Sequence, residues 1–241
     1  MARLIFDIET SALPVDHFDE TQTEYLLRDA ERMPDPESRE ARRAEILRLF
    51  SLWPFTAKVV CIAMLNAESG KGQVLFPAGE TGSDADSEET PGLRFTPCPD
   101  ESGILSQFWE VARRYESIVT FNGRAFDIPF LYLRSALLAI PISRKDWLGY
   151  RFQTEPHCDL AEQLTFYGVS GREGAARRFN LDFYCKAFGI PSPKAQGVTG
   201  MDVGRLLEEG RHREIAEYCL RDVQATRSLY QIWRDRLAGI K

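Results

Sequence analysis

The sequence predicts an α/β protein, in which a mixed β-sheet carries helices on both faces. Three observations support this fold class. Apolar, strand-like runs joined by a hairpin signal fill the first third of the chain, helical and strand patterns alternate after residue 100, and one long amphipathic helix ends the sequence. This order of elements is typical of a sheet covered by helices, although many folds share it.

The first third supplies three predicted strands. Arg3–Ile8 is a buried, apolar run, and Lys58–Leu65 is a second one rich in β-branched residues. Gln73–Phe76 is the third, and the segment 70–72 (Gly-Lys-Gly) before it predicts a hairpin. Between the first two strands, residues 37–50 have helical spacing within a strongly charged stretch, so we expect a helix with a solvated face.

Residues 78–103 are rich in Gly, Ser, Pro, Asp and Glu. This composition predicts an exposed, mobile, acidic loop inserted into the domain. A calcium-binding loop is not expected, because the spacing of an EF-hand is missing.

The remaining chain alternates between helix and strand. Periodicity and flanking breakers predict helices at 101–115, 127–138, 161–166, 181–188, 201–209 and 214–237, and strands at 117–121 and 156–160.

Length and composition limit the possible classes of protein. The 241 residues fit one domain, residues 1–241, with ordinary apolar content. A net charge of −6 argues against a generally basic surface for duplex nucleic acid, although a local groove can still be basic. Five scattered cysteines predict reduced thiols in a cytoplasmic protein, and no apolar run approaches the ~20 residues of a membrane helix.

Three acidic motifs carry the chemistry. They are the segment 6–10 (Phe-Asp-Ile-Glu-Thr), the segment 122–127 (Asn-Gly-Arg-Ala-Phe-Asp) and the segment 218–222 (Tyr-Cys-Leu-Arg-Asp). Each places a carboxylate beside apolar residues, where burying a lone charge is costly. The four carboxylates would repel one another if gathered, unless they bind divalent metal ions. The candidate ligands are Asp7, Glu9, Asp127 and Asp222.

The spacing within the motifs suits a shared site. Asp7 and Glu9 project from the same face of a strand, because side chains alternate along it. Tyr218 and Asp222 share a face of the last helix, being four residues apart. Taken alone, Asp127 fits an N-cap or first-turn acid equally well, and Tyr218 fits the edge of an amphipathic helix.

On these motifs the chain resembles the DEDD superfamily of 3′–5′ exonucleases, which has a ribonuclease H-like fold. The superfamily has two branches, which differ in a residue shortly before the last aspartate. One branch has a histidine at the position that Glu217 occupies here, and the other has a tyrosine at the position of Tyr218. The spacing from Asn122 to Asp127 is similar to the proofreading exonuclease domains of family B DNA polymerases. Within that group the chain looks like the stand-alone bacterial exonucleases.

The resemblance implies hydrolysis with two divalent ions, Mg²⁺ or Mn²⁺, held by the four carboxylates. One ion would activate the attacking water, to which Tyr218 would be hydrogen-bonded, and the other would stabilise the leaving 3′ oxygen. Substrate contacts are expected from Thr10, Asn122 and Phe126. Lys194, in a Pro-Ser-Pro-Lys turn, could reach a phosphate.

One basic and aromatic cluster could follow a single strand or could be a solvated face. It comprises Arg172, Arg177, Arg178, Phe179, Tyr184 and Lys186. Two segments depart from the family pattern, the charged segment 30–50 and the acidic segment 78–103. They concern how substrate or partners reach the site and do not affect its expected chemistry.

The expected function is therefore release of nucleoside monophosphates from the 3′ end of single-stranded DNA. A 3′–5′ exoribonuclease of the same superfamily is the first alternative, because no residue unambiguously reads a 2′-hydroxyl. A nucleic-acid-binding module that no longer cleaves is the second, although such a module would be expected to have lost a carboxylate or the tyrosine. No protein partner is identifiable from the sequence.

Overall fold

The computed structural model describes residues 2–79, 87–168, 174–194 and 197–240. Seven strands occur in these ranges: β1 (Arg3–Ala12), β2 (Ala57–Asn66), β3 (Gly72–Pro77), β4 (Ser87–Thr90), β5 (Leu93–Cys98), β6 (Ser117–Thr120) and β7 (His157–Asp159). The α-helices are α1 (Glu20–Glu31), α2 (Pro36–Leu49), α3 (Glu101–Ala112), α4 (Asp127–Leu137), α5 (Leu160–Leu164), α6 (Leu181–Ala187), α7 (Val203–Glu208) and α8 (His212–Arg236). None of the helices in the described part of the chain is both long and apolar enough to cross a membrane.

The strands form one mixed sheet in the order β4-β5-β3-β2-β1-β6-β7. β2 pairs with β3 in antiparallel orientation, as the hairpin signal predicted, and also pairs antiparallel with β1. β6 and β7 follow on the other side of β1, and both run parallel to it. The sheet therefore changes from antiparallel to parallel pairing at β1, the strand that carries the first motif.

Helices cover both faces of this sheet, which confirms the predicted fold class. The alternation along β1 shows how the two faces arise. Leu4, Phe6 and Ile8 face one apolar core, which α3 and α4 cover. Ile5 faces the other core, which lies mainly beneath α8. Because side chains alternate, Asp7 and Glu9 lie on the same side as Ile5 and point towards α8.

The prediction of a continuous loop over 78–103 is wrong for its second half. β4 and β5 lie there, and β5 pairs with β3 in parallel. Two residues of β5 are buried on opposite faces of the sheet, Phe95 in the core beneath α8 and Cys98 in the core beneath α3. Glu101 already belongs to α3, whose N-terminus is capped when Asp100 accepts the Gly103 N–H at 2.8 Å. The many turn-forming residues of this segment concealed the strand pattern of β4 and β5. Residues 80–86 lie outside the described ranges.

A helical insertion, residues 13–56, separates β1 from β2. These strands are antiparallel neighbours that a short turn could connect, yet α1, α2 and a 3₁₀ turn (Phe50–Leu52) lie between them. The insertion has a small apolar core of its own, built from Leu27, Ala30, Ile46 and Phe50. Its helices match the predicted helix at 37–50 and add one before it.

Candidate active site

β1 brings the first two carboxylates together on its α8 side. Asp7 and Glu9 lie opposite Ala63 and Cys61 of β2, and a bulge follows Glu9. Helix α8 crosses directly over them. The contact that shows this is between the Cys219 thiol and the main-chain oxygen of Asp7, which lie 3.5 Å apart. A long helix packed against the central strand thus places the third motif against the first.

Asp127 reaches the same place from the other side of β1. The parallel ladder between β1 and β6 ends at Ile5, so the Ile8 N–H has no strand partner there. The Asp127 carboxylate, in the first turn of α4, accepts this N–H at 3.2 Å. The hydrogen bond satisfies a buried backbone donor and fixes the carboxylate beside Asp7 and Glu9.

Tyr218 and Asp222 share a face of α8, as their spacing predicted. Tyr218 is buried, and its hydroxyl lies close enough to the Asp222 carboxylate to lower the pKa of that group. Both side chains line a cleft of about 450 Å³, here called the tyrosine cleft. Its other lining residues include Asp7, Asn122, Arg178, Phe179 and Lys194.

Burial raises the pKa of every carboxylate in the cluster, and the charges of the other acids add to the shift of two of them. Burial, followed by the charges of Asp127, Asp222 and Glu9, holds the pKa of Asp7 well above its usual range. Burial and the charges of Asp222 and Asp127 do the same for the pKa of Glu9. Without metal, Asp7 and Glu9 therefore hold their protons more tightly than ordinary carboxyl groups do.

The other two acids have smaller shifts because local donors or cations oppose them. Burial raises the pKa of Asp127 to about 7, against the hydrogen bonds of nearby backbone N–H groups. Burial raises the pKa of Asp222 to about 6, against the hydrogen bond from Tyr218 and the charges of Lys194 and Arg221. Within the described part of the chain, none of the four carboxylates forms an ion pair.

The donor set fits a hard divalent cation. The charges of Asp127 and Asp222 act on both Asp7 and Glu9, and carboxylate oxygens suit Mg²⁺ and Mn²⁺ as ligands. One oxygen each from Asp7 and Glu9 and the Cys219 sulfur all lie within 4.8 Å of one another. Cys219 is a neighbour that the motif patterns did not single out, because its position between Tyr218 and Asp222 reads as core.

A buried acid outside the motifs holds the second motif in place. Asp159, at the end of β7, accepts the backbone N–H groups of Asn122 at 2.9 Å, Arg124 at 2.9 Å and Ala161 at 3.0 Å. Asn122 has a φ of 68°, a strained value for a side-chain-bearing residue, and these bonds stabilise it. Sequence reasoning missed this role, whose only signal is an acid directly after a short buried strand.

We expect Asp159→Ala to damage the site without touching the carboxylates. It would leave three backbone donors without their acceptor, at a cost of roughly 1–3 kcal/mol for a buried group. Thermal unfolding should show the lost stability, and cleavage should fall because the turn that carries Asn122 relaxes. Asp159→Asn retains one acceptor oxygen and should recover part of both losses. Equal stability of Asp159→Ala and wild type would show that these bonds contribute nothing.

The predicted substrate residues occupy different positions around the carboxylates. The Thr10 hydroxyl donates to the main-chain oxygen of Ser51 at 2.6 Å, so this side chain also supports the helical insertion. The Asn122 side-chain oxygen accepts a hydrogen bond from Arg178 at the mouth of the tyrosine cleft. Its contact with substrate stays a prediction.

Phe126 and Lys194 lie beside a second cleft. The Phe126 ring packs 5.5 Å from that of Phe130, and the residue lines a cleft of about 740 Å³. We call this the insertion cleft, because the end of the helical insertion forms part of its wall. Lys194 is exposed and lines both clefts, which places a cation between them. Substrate contacts of both residues stay predictions.

The basic and aromatic cluster divides into two parts. Arg178 and Phe179 line the tyrosine cleft, and the Arg177 guanidinium lies 5.2 Å from the centre of the Phe179 ring. Lys186 instead forms a surface ion pair with Asp182 at 2.8 Å, the arrangement of a solvated face. Tyr184 is buried in the core beneath α8. Arg172 lies outside the described residues.

Comparison with known proteins identifies related sequences. A family model described as a predicted 3′–5′ exonuclease related to the exonuclease domain of PolB matches residues 55–237. This range includes Asp127, Tyr218 and Asp222, whereas Asp7 and Glu9 precede it.

Two archaeal proteins described as DNA polymerase 1 are similar to parts of this chain. That of Sulfolobus acidocaldarius is 26% identical over 209 residues, which cover 82% of this chain and 20% of the relative. That of Saccharolobus solfataricus is 28% identical over 138 residues, which cover 54% of this chain and 15% of the relative. The chain thus spans at most about a fifth of the length of these relatives.

The fold is similar to part of a solved polymerase. The family B DNA polymerase of the hyperthermophilic archaeon Pyrobaculum calidifontis superimposes with a TM-score of 0.56 at 18% sequence identity. The superposition covers 97% of this chain and 24% of the polymerase. At this identity the likeness concerns the fold.

Proposed function

The chain belongs to the family of predicted 3′–5′ exonucleases related to the exonuclease domain of PolB, and from this premise we propose that it degrades single-stranded DNA with two divalent metal ions. Membership makes it a phosphodiester hydrolase acting from 3′ ends. The proposal adds the substrate, the metals and the residues that perform the reaction.

The gathered carboxylates are the observation that carries the proposal. Asp7, Glu9, Asp127 and Asp222 lie close together beneath α8; burial raises the pKa of all four, and the charges of neighbouring acids raise those of Asp7 and Glu9 further. Mg²⁺ or Mn²⁺ bound by these oxygens would polarise the scissile phosphate and lower the pKa of a bound water. In the cytoplasm, where we propose that the protein acts, Mg²⁺ is the abundant ion of the two.

Each neighbouring residue has a role that follows from its position. The Tyr218 hydroxyl, which lies close to the Asp222 carboxylate, would hold the attacking water in line with the phosphorus atom. The backbone N–H of Ile8 fixes Asp127, so this carboxylate need not reorganise during the reaction. Lys194, exposed between the two clefts, would contact a phosphate of the substrate. From the tyrosine at position 218 we infer that the protein belongs to the tyrosine branch of these exonucleases.

Single-stranded DNA is favoured over RNA because the similar curated proteins are described as DNA polymerases. Matched DNA and RNA oligonucleotides of one sequence, incubated with Mn²⁺ or Mg²⁺, test this choice. We expect the DNA to be shortened from its 3′ end to nucleoside monophosphates at the higher rate. Faster loss of the RNA would assign the enzyme to exoribonucleases, and binding of either strand without cleavage would indicate an inactive module.

We expect Tyr218→Phe to slow cleavage by roughly ten- to a hundredfold, because it removes the hydroxyl that orients the water and no metal ligand. The metal concentration that gives half-maximal stabilisation against heat should change little. Tyr230→Phe, at another buried tyrosine of α8 outside both clefts, is the matched control. A Tyr218→Phe enzyme as fast as wild type would make this tyrosine purely structural.

A further inference from the structure

The helical insertion ends directly beside the candidate active site. Its last turn, Phe50–Leu52, is attached to β1 where Thr10 donates to the Ser51 oxygen. Phe50 anchors the turn because it is buried and packs against the rings of Phe18, at 5.8 Å, and Trp53, at 6.2 Å. The position of this turn is therefore fixed relative to Glu9, the neighbour of Thr10.

The end of the insertion forms one wall of the insertion cleft. Motif residues Glu9, Thr10 and Phe126 line one part of this cleft, and Arg48 and Leu52 line another. Met201, in the 3₁₀ turn before α7, also lines the cleft, as does Glu208. Because Glu9 belongs to the carboxylate cluster, the cleft is continuous with the proposed site of hydrolysis.

Large apolar side chains are unusually exposed along this wall. Met201 is 84% exposed and Leu52 is 49% exposed, although both line a concave surface. Trp53 and Phe55, which directly follow Leu52 in the chain, are 41% and 59% exposed. Scattered apolar residues are ordinary on a surface, whereas a row beside a cleft indicates a contact surface.

Cations accompany these apolar side chains. Arg48 lines the cleft and has no ion-pair partner among the residues that the structure describes, and Lys194 lines it from the opposite segment. Apolar and aromatic side chains that lie near cations fit a single strand, whose unpaired bases stack while its phosphates need positive charge. In a duplex, by contrast, the base faces stack on one another and are not free to contact these side chains.

We propose that the end of the helical insertion, residues 48–55, together with Met201 holds the unpaired 3′ end of the substrate strand. Leu52 and Met201 contact base faces inside the cleft, Trp53 stacks on a base farther from the carboxylates, and Arg48 contacts a phosphate. This assignment rests on the proposed function and adds a binding surface that lies outside the residues matched by the family model, Phe55 and Met201 excepted.

Tryptophan fluorescence tests the contact without cleavage. Of the four tryptophans, Trp109, Trp147 and Trp233 are buried, so a base that stacks on tryptophan from solvent must meet Trp53. An Asp7→Asn background removes a proposed metal ligand and prevents degradation of the strand. Added single-stranded DNA should quench the emission in a saturable manner. The quenching should vanish in Trp53→Phe, while binding measured by anisotropy of a labelled strand persists.

Measurements of KM distinguish the loss of a contact with a base from a general disturbance of the structure. Leu52→Ala should raise KM about fivefold for an ordinary single strand, the expected loss for one truncated apolar contact of ~1 kcal/mol. It should change KM little for a strand whose last three nucleotides are abasic. Leu137→Ala is the matched control, since Leu137 is 51% exposed on α4 and lines neither cleft.

Two outcomes overturn the assignment. They are quenching that survives in Trp53→Phe, and a Leu52→Ala enzyme that behaves like Leu137→Ala on both strands. In either case a wild-type enzyme that still shortens DNA leaves the proposed function intact. Absence of any cleavage by wild type would instead contradict the proposed function itself.

Discussion

Replacing Asp7 by asparagine is expected to abolish cleavage while making the metal-free protein more stable. The substitution removes a proposed metal ligand, so turnover should fall about a thousandfold or more. It also removes one charge from a buried cluster in which burial and three other acids raise the pKa of Asp7. The metal-free variant should therefore unfold at a higher temperature than metal-free wild type at pH 8.

Replacing Asp182, another acid of the same region, by asparagine should have the opposite effects on stability and activity. Asp182 also lines the tyrosine cleft, but Lys186 and Ser192 lower the pKa of its carboxyl. Asp182→Asn should consequently lose a little stability at pH 8 and keep most of its activity. Metal-dependent cleavage by Asp7→Asn at the wild-type rate would exclude Asp7 from the reaction.

The stabilisation provided by Mg²⁺ or Mn²⁺ is expected to increase steeply between about pH 4 and pH 8. A carboxyl whose folded pKa exceeds its unfolded pKa stabilises the protein fully below the unfolded pKa, near 4. This contribution is lost as the pH rises through the folded pKa, which is about 6 for Asp222 and about 7 for Asp127. Asp7 and Glu9 extend the loss to higher pH.

Bound metal should reverse this loss, because it neutralises the ionised carboxylates. The measurement is the difference in the free energy of unfolding with and without metal, taken at pH 5 and pH 8. The difference is needed because His157 has the opposite effect: burial lowers its pKa to about 3, and its contribution is lost as the pH falls. Metal stabilisation that is equal at both pH values would contradict a cluster of crowded acids.

Local periodicity is the part of the site that the sequence could predict. Asp7 and Glu9 share a strand face because alternation is a property of every strand, and Tyr218 and Asp222 share a helix face for the analogous reason. The apolar neighbours of each acid indicated burial. The mixed sheet with helices on both faces followed from the same patterns.

Long-range contacts account for what the sequence could not predict. Asp159 accepts a hydrogen bond from the backbone N–H of Asn122, and no local sequence pattern predicts a contact between residues 37 positions apart. β5 was hidden because its strand face depends on pairing with β3, which composition does not reveal. The helical insertion could be read as a charged helix, whereas its position beside Glu9 depends on the bond between Thr10 and Ser51.

The central claim is that the four carboxylates drive metal-dependent hydrolysis from a 3′ end. One single-stranded DNA oligonucleotide, labelled at its 5′ end in one sample and at its 3′ end in another, tests it with Mn²⁺, with Mg²⁺ and with a chelator. We expect a descending ladder from the 5′ label, immediate release of a mononucleotide from the 3′ label, and no reaction with chelator or with Asp7→Asn. Immediate mononucleotide release from the 5′ label, or undiminished cleavage in chelator, would contradict the account.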